Sequence, residues 1–104
     1  MTLQKQQQQY LHLTNHVMPQ VARQQHWPVR LNHCFQRIIL DALFHDCWYQ
    51  HLDRTSRIPA YRQLSEAQLT RALTIAQHML DSSETVRQLN QQSLMYRNKQ
   101  ARST

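Results

Sequence analysis

The stretch Leu31-Asn-His-Cys-Phe-Gln-Arg-Ile-Ile-Leu-Asp-Ala-Leu-Phe-His-Asp-Cys-Trp-Tyr-Gln-His51 contains neither proline nor glycine and is rich in residues that favour helix. At 100° per residue, Leu31, Phe35, Ile38, Ala42 and Tyr49 fall on one face. Ile39 and Leu43 lie beside them, and Leu40, Phe44, Cys47 and Trp48 cover most of the far side. A helix that is apolar nearly all round belongs in the middle of a fold, with neighbours on several sides. The segment therefore predicts a central helix over about 31–51.

Outward from it, Tyr10, Leu13, Val17 and Val21 recur at helical spacing, with Leu11, Met18 and Ala22 alongside. A first helix is expected over about Gln4 to Gln25. Pro19 lacks the N–H that the helical ladder needs, so a kink or a break is expected near His16 to Met18. Trp27-Pro28 ends the segment, because a residue before proline avoids helical angles. Residues Leu52 to Leu64 read as a long loop, with turn formers Asp53, Thr55, Ser56 and Pro59. Ser65-Glu-Ala-Gln68 has the form of a capping box that opens a helix reaching Leu80. That helix is expected to bury Leu69, Ala72, Leu73, Ala76 and Leu80. Asp81-Ser82-Ser83 breaks it and caps another over about Glu84 to Asn98, with Val86, Leu89, Ser93 and Tyr96 facing inward. The whole is expected to be all-α: one compact domain over 10–98, a bundle of four to five helices around the central apolar one. The Gln-rich start, residues 1–9, reads as frayed or loosely helical, and the polar tail, residues 99–104, as frayed.

Composition narrows the function classes. The chain has 104 residues, 12 Lys+Arg against 6 Asp+Glu, a net charge of +6, and no glycine. Without glycine there is no dinucleotide-binding turn, no Walker phosphate loop and no nucleophile elbow of the G-x-S-x-G type. No run of 18 apolar residues occurs, so no membrane span is expected. The N-terminal segment lacks an apolar stretch and does not read as a secretory signal. Cys34 and Cys47, about 20 Å apart along one helix, are too distant to bridge, and free thiols suit a reducing, cytoplasmic setting. A positive balance of this size favours acidic partners such as nucleic acid, an acidic protein or an anionic membrane surface.

Three constellations carry candidate chemistry. Arg37, Asp41 and His45 stand at i, i+4 and i+8 of the central helix, where a carboxylate can orient an imidazole for acid/base work and the arginine can hold an anion. The plainer reading is an ion pair between Arg37 and Asp41 at the core margin, with His45 as a polar neighbour. The loop residues Arg54, Arg57 and Arg62, with Tyr61 between them and Arg30 at the other end of the central helix, form the best nucleic-acid or anion-binding set. Arginine forks match phosphate oxygens, and an aromatic ring can stack on a base. His12 and His16 form an i, i+4 pair, but no C-x-x-C or H-E-x-x-H motif is present, so neither a metal nor a cofactor is expected. The turn at Asp81 to Ser83 has the length of a helix-turn-helix, with Arg87, Gln88, Gln91 and Gln92 as its base readers.

The segment Trp27-Pro-Val-Arg-Leu-Asn-His-Cys-Phe-Gln-Arg-Ile-Ile-Leu-Asp41 resembles the signature of a small uncharacterised bacterial family of about this length. Trp48, Pro59-Ala60-Tyr61 and Leu89-Asn-Gln-Gln-Ser-Leu94 match the same pattern, so the resemblance covers most of the chain. It brings no established activity and hence no catalytic residue. Some members carry an N-acetyltransferase label, yet that fold needs a mixed sheet and a glycine-containing pyrophosphate loop, which this sequence does not provide. The resemblance brackets Trp27, Arg30, His33, Arg37, Asp41 and Trp48 as one region, either a small pocket or a satisfied buried network. The sequence thus leads first to a non-enzymatic binding module for nucleic acid or an acidic protein. A small enzyme or ligand binder at Arg37, Asp41 and His45 is the alternative, and a helical oligomerisation or adaptor protein is the third.

Overall fold

The computed structural model describes the backbone of residues 2–103 and the side chains of residues 2–98. Helix α1 (Leu3–His12) passes through a π-helical segment (Leu13–Val17) into α2 (Met18–Gln25), and α3 (Asn32–Phe44), α4 (Glu66–Asp81) and α5 (Ser83–Ser103) follow. Two short 3-10 turns, Trp48–Gln50 and Ala60–Gln63, lie between α3 and α4. Among the described residues there is no strand, so the all-α architecture read from the sequence holds.

Pro19 sits in the first turn of α2, where its missing N–H costs least. The turn before it widens: the Met18 N–H donates to the carbonyl of Leu13, five residues back. Buried Thr14 helps to satisfy this stretch by donating its hydroxyl to the Tyr10 carbonyl at 3.0 Å and accepting from Gln36 Nε2 of α3 at 3.1 Å. The widened turn also rotates the buried face. Tyr10, Thr14, Met18 and Ala22 all point inward at a strict four-residue step. In an unbroken α-helix such a step drifts by about 40° each time. The sequence placed Leu13, Val17 and Val21 on that face, and they are instead half-buried at its edge.

The Gln-rich start is firmly helical, so the frayed alternative does not hold. Leu3–His12 is helical, capped by Thr2, and Gln6 is buried with its amide donating to Thr70 Oγ1 of α4 at 2.7 Å. The polar tail, expected to fray from residue 99, instead continues α5 as helical backbone to Ser103. Helix α4 starts at the capping box as expected: Ser65 Oγ accepts from the Gln68 N–H and Gln68 Oε1 accepts from the Ser65 N–H. Its buried stripe is Leu69, Ala72, Ala76 and Met79, with Leu73 and Leu80 on the flanks.

Helix α3 is the centre of the bundle, packed by α2, the π segment, α4, α5 and the turn at Trp48–Gln50. Phe35, Ile38, Ile39, Leu40, Asp41 and Leu43 are buried on it. Leu31, expected inside, is exposed at the helix start. The helix also ends at Phe44, not near His51: His45 turns into the left-handed region at φ 53°, and both its N–H and that of Asp46 donate to the Asp41 carbonyl. Helix α2 ends the same way at His26, φ 56°, with the Trp27 N–H on the Ala22 carbonyl. Glycine usually takes this position because it has no Cβ to crowd the carbonyl. A glycine-free chain closes both helices with histidine instead. The radius of gyration, 13.3 Å, matches the ~13 Å of a compact domain of about 100 residues.

His26 is exposed and its ring adds nothing to the core. We expect His26→Gly to stabilise the protein by about 1 kcal/mol, by relieving the left-handed strain. Urea denaturation followed by circular dichroism measures it, and a destabilised variant would refute the strain argument.

Candidate functional site

Asp41 lies on the side of α3 that meets α5 and is completely buried. Its carboxylate accepts three bonds: from the Trp48 N–H at 2.9 Å, from the Ser93 hydroxyl at 2.5 Å and from Arg97 Nη2 at 3.3 Å. Arg37 does not bond to it directly. The Arg37 guanidinium donates to Ser93 Oγ at 2.7 Å and to Asn90 Oδ1 at 2.9 Å, so its charge reaches Asp41 through the serine. Partners in α5 rise in number with those in α3, so the two helices run side by side in the same sense. The Trp48 bond explains the turn that ends α3: it pins the chain beyond Cys47 back onto the helix.

The strip expected from the i, i+4, i+8 spacing is therefore not one site. Arg37 and Asp41 belong to a hydrogen-bonded network with Asn90, Ser93 and Arg97, while His45, exposed in its left-handed cap, faces a different cleft lined by Arg71 and His78. An i, i+4, i+8 strip needs an unbroken helix, and α3 ends at Phe44, just before His45. Trp27 and Trp48 are likewise far apart in role. Trp27 packs edge-on against Phe35 and donates its Nε1–H to Ser83 Oγ at 3.0 Å. Trp48 lies at the Asp41 turn against Tyr49. Ser93, Asn90 and Arg97 were missed as partners because they are more than 50 residues away; the only sequence signal was Ser93 on an inward face.

The network continues into the basic loop. The Arg97 guanidinium lies 4.8 Å from the centre of the Tyr49 ring, and Arg54 lies 4.3 Å from the same ring. Cation–π contacts of this kind hold a guanidinium in place while its N–H groups stay available. The loop itself is clipped shut by one side chain. Gln63 accepts from the Asp53 N–H at 2.8 Å and donates to the carbonyls of Asp53 at 2.8 Å and Ile58 at 2.9 Å. Asp53 makes a local turn, its carboxylate accepting from the Thr55 N–H and hydroxyl. These bonds favour the charged form and hold the Asp53 carboxyl below the usual aspartate range.

Arg54, Arg57 and Arg62 are all exposed on this ordered loop. Tyr61 is not available beside them as expected: it is half-buried and stacks on Tyr10 with ring centres 6.0 Å apart. Tyr49 takes its place as the aromatic partner of the arginines. Arg30 is exposed before α3. At the α4–α5 corner, Arg87 is paired with Glu84 at 3.1 Å, which occupies the first of the expected base readers. His12 and His16 lie with ring centres 5.6 Å apart on the surface. Among the described residues, no three His, Cys, Asp or Glu side chains converge on a metal-sized site. No described helix is long and apolar enough to cross a membrane. Cys34 and Cys47 are free, and Cys47 is buried beyond the end of α3.

No protein-family model matches the chain, and no curated protein or solved structure matches it either.

Asp41→Asn removes the charge that answers Arg97 and turns an NH2 toward other donors. We expect it to cost about 3 kcal/mol, at the low end for orphaning a buried charge because Arg97 keeps 23% of its side chain in solvent. Ser93→Ala should cost about 1–2 kcal/mol, and the double variant less than the sum, since both residues serve one network. Chemical denaturation of the three variants measures the coupling; simple additivity would refute it. The Asp53 turn has its own pH signature. Its contribution is complete above the ordinary aspartate pKa and is lost only as pH falls through the lowered folded value. The protection of the Thr55 amide, its exchange taken relative to the unstructured rate at each pH, should fall over that acidic window, and an onset near neutral pH would contradict the assignment.

Proposed function

We propose that the protein is a non-enzymatic module that binds nucleic acid through the loop carrying Arg54, Arg57 and Arg62. The observation behind this reading is the clipped loop: Gln63 holds it closed while its three arginines stay exposed, with Arg54 laid on Tyr49. An ordered scaffold lowers the entropy cost of binding, and guanidinium forks suit phosphate oxygens. Ten of the chain's twelve Lys+Arg residues are arginine, which favours bidentate phosphate contact over diffuse attraction. Asp53 is the one acid in the loop, and it stays charged at neutral pH. Tyr49 already carries Arg54, so contact is expected mainly with the phosphate backbone and little with bases, which gives weak sequence preference.

Fluorescence anisotropy against labelled duplex DNA, single-stranded DNA and RNA tests the reading. Three phosphate contacts on duplex DNA predict a log–log salt slope near −3, or a loss of about 40-fold between 50 and 200 mM salt. Replacing Arg54, Arg57 and Arg62 together by glutamine should flatten that slope with the helical circular dichroism unchanged. Asp53→Asn keeps the turn acceptor, removes the loop's one negative charge, and should tighten binding a few-fold. Equal affinity of the triple variant and the parent would overturn the proposal. Absence of binding to all three nucleic acids at low salt would leave an acidic protein as the partner class.

A further inference from the structure

Helices α3, α4 and α5 leave between them a cleft of about 440 Å³, within the range of small-molecule sites. Ala42, Ile75 and Leu89 supply its apolar lining, and His45, Arg71 and His78, with two threonine hydroxyls, its polar lining. Arg71, Ile75 and His78 stand at i, i+4 and i+7 on α4, so they share one face over about 10 Å. His45 reaches the cleft because it leaves α3 in the left-handed conformation. No acidic side chain lines the cleft, and among the described residues no carboxylate lies within ion-pair distance of Arg71. One permanent cation and two imidazoles thus border a largely apolar surface with no anion of the protein's own to answer them.

We infer that this cleft binds an apolar monocarboxylate. The alkyl or aryl part lies against Ala42, Ile75 and Leu89, and the carboxylate takes the Arg71 fork with N–H donors from His45 and His78. A single arginine matches one carboxylate in bidentate fashion. A phosphate dianion would bring a second charge that only the imidazoles could answer, and a nucleotide base would find no Phe, Tyr or Trp ring among the lining residues. None of these residues belongs to the basic loop, so the inference stands apart from nucleic-acid binding.

Titration of the full chain with sodium octanoate, followed by proton–nitrogen and proton–carbon NMR, tests it. Saturable shifts are expected at His45, Arg71, Ile75, His78 and Leu89, with acetate and octan-1-ol each binding far more weakly. Arg71→Gln should weaken octanoate about tenfold or more, as the loss of a charge-assisted bond implies. Arg71→Lys should weaken it less. Arg23→Gln, an equal charge change at an exposed position of α2, should leave it unchanged. Three outcomes would overturn the inference: octan-1-ol matching octanoate, shifts centred elsewhere, or Arg23→Gln losing as much affinity as Arg71→Gln.

Discussion

Taking the Asp41 carboxylate out of water is costly unless its lone pairs and its charge are answered inside the protein. Here they are answered by three separate pieces of chain: the turn at Trp48, and the Ser93 and Arg97 side chains one helical turn apart on α5. Much else depends on that arrangement. It sets how α5 lies along α3, because Ser93 must reach the carboxylate while also accepting from Arg37. It ends α3 by drawing the backbone after Cys47 back over the helix. It also positions Arg97 against Tyr49, whose ring in turn carries Arg54. A buried polar network of this kind adds little net stability over an apolar core, yet it penalises every alternative packing that leaves the carboxylate unanswered.

The absence of glycine has consequences beyond the motifs it excludes. Both helix ends that need a left-handed residue use histidine, and each carries local strain that glycine would avoid. At His26 this is only a cost. At His45 the same conformation sends an imidazole away from the Asp41 network and toward Arg71 and His78. Local backbone chemistry therefore decides which cluster a titratable side chain joins.

Charge is distributed as unevenly as the composition implies. Of the six acids, Asp41 is consumed in the core, Asp46 pairs with His51 at 3.3 Å, and Glu84 pairs with Arg87. Asp53 and Asp81 accept hydrogen bonds from Thr55 and Gln77. Few carboxylates remain to offset the exposed arginines. Self-repulsion among them disfavours the compact state slightly and attracts polyanions. The loop over residues 52–63 is where this excess meets an ordered backbone.

The helical class, the central segment, the Pro19 interruption and the capping box were legible because each rests on short-range spacing. A 3.6-residue period, a missing N–H and a serine three residues before glutamine act within one or two turns. Ser93 on an inward face was legible too, though its purpose was not. The end of α3 was misread because Cys47, Trp48 and Tyr49 continue the apolar pattern, and only the Asp41 carboxylate bends them away. Whether the Gln-rich start frays or folds was not legible because Gln6 gains its order from Thr70, more than 60 residues further on. Tyr61 was assigned to the surface by its arginine neighbours, whereas Tyr10 draws it toward the core. The sequence by itself determined which segments are helical, which face of each is apolar and where the positive charge accumulates, since these follow from composition and local spacing. Only the tertiary structure decided which residue answers Asp41, where α3 stops and which cleft receives His45, because those choices rest on contacts between residues distant in the chain.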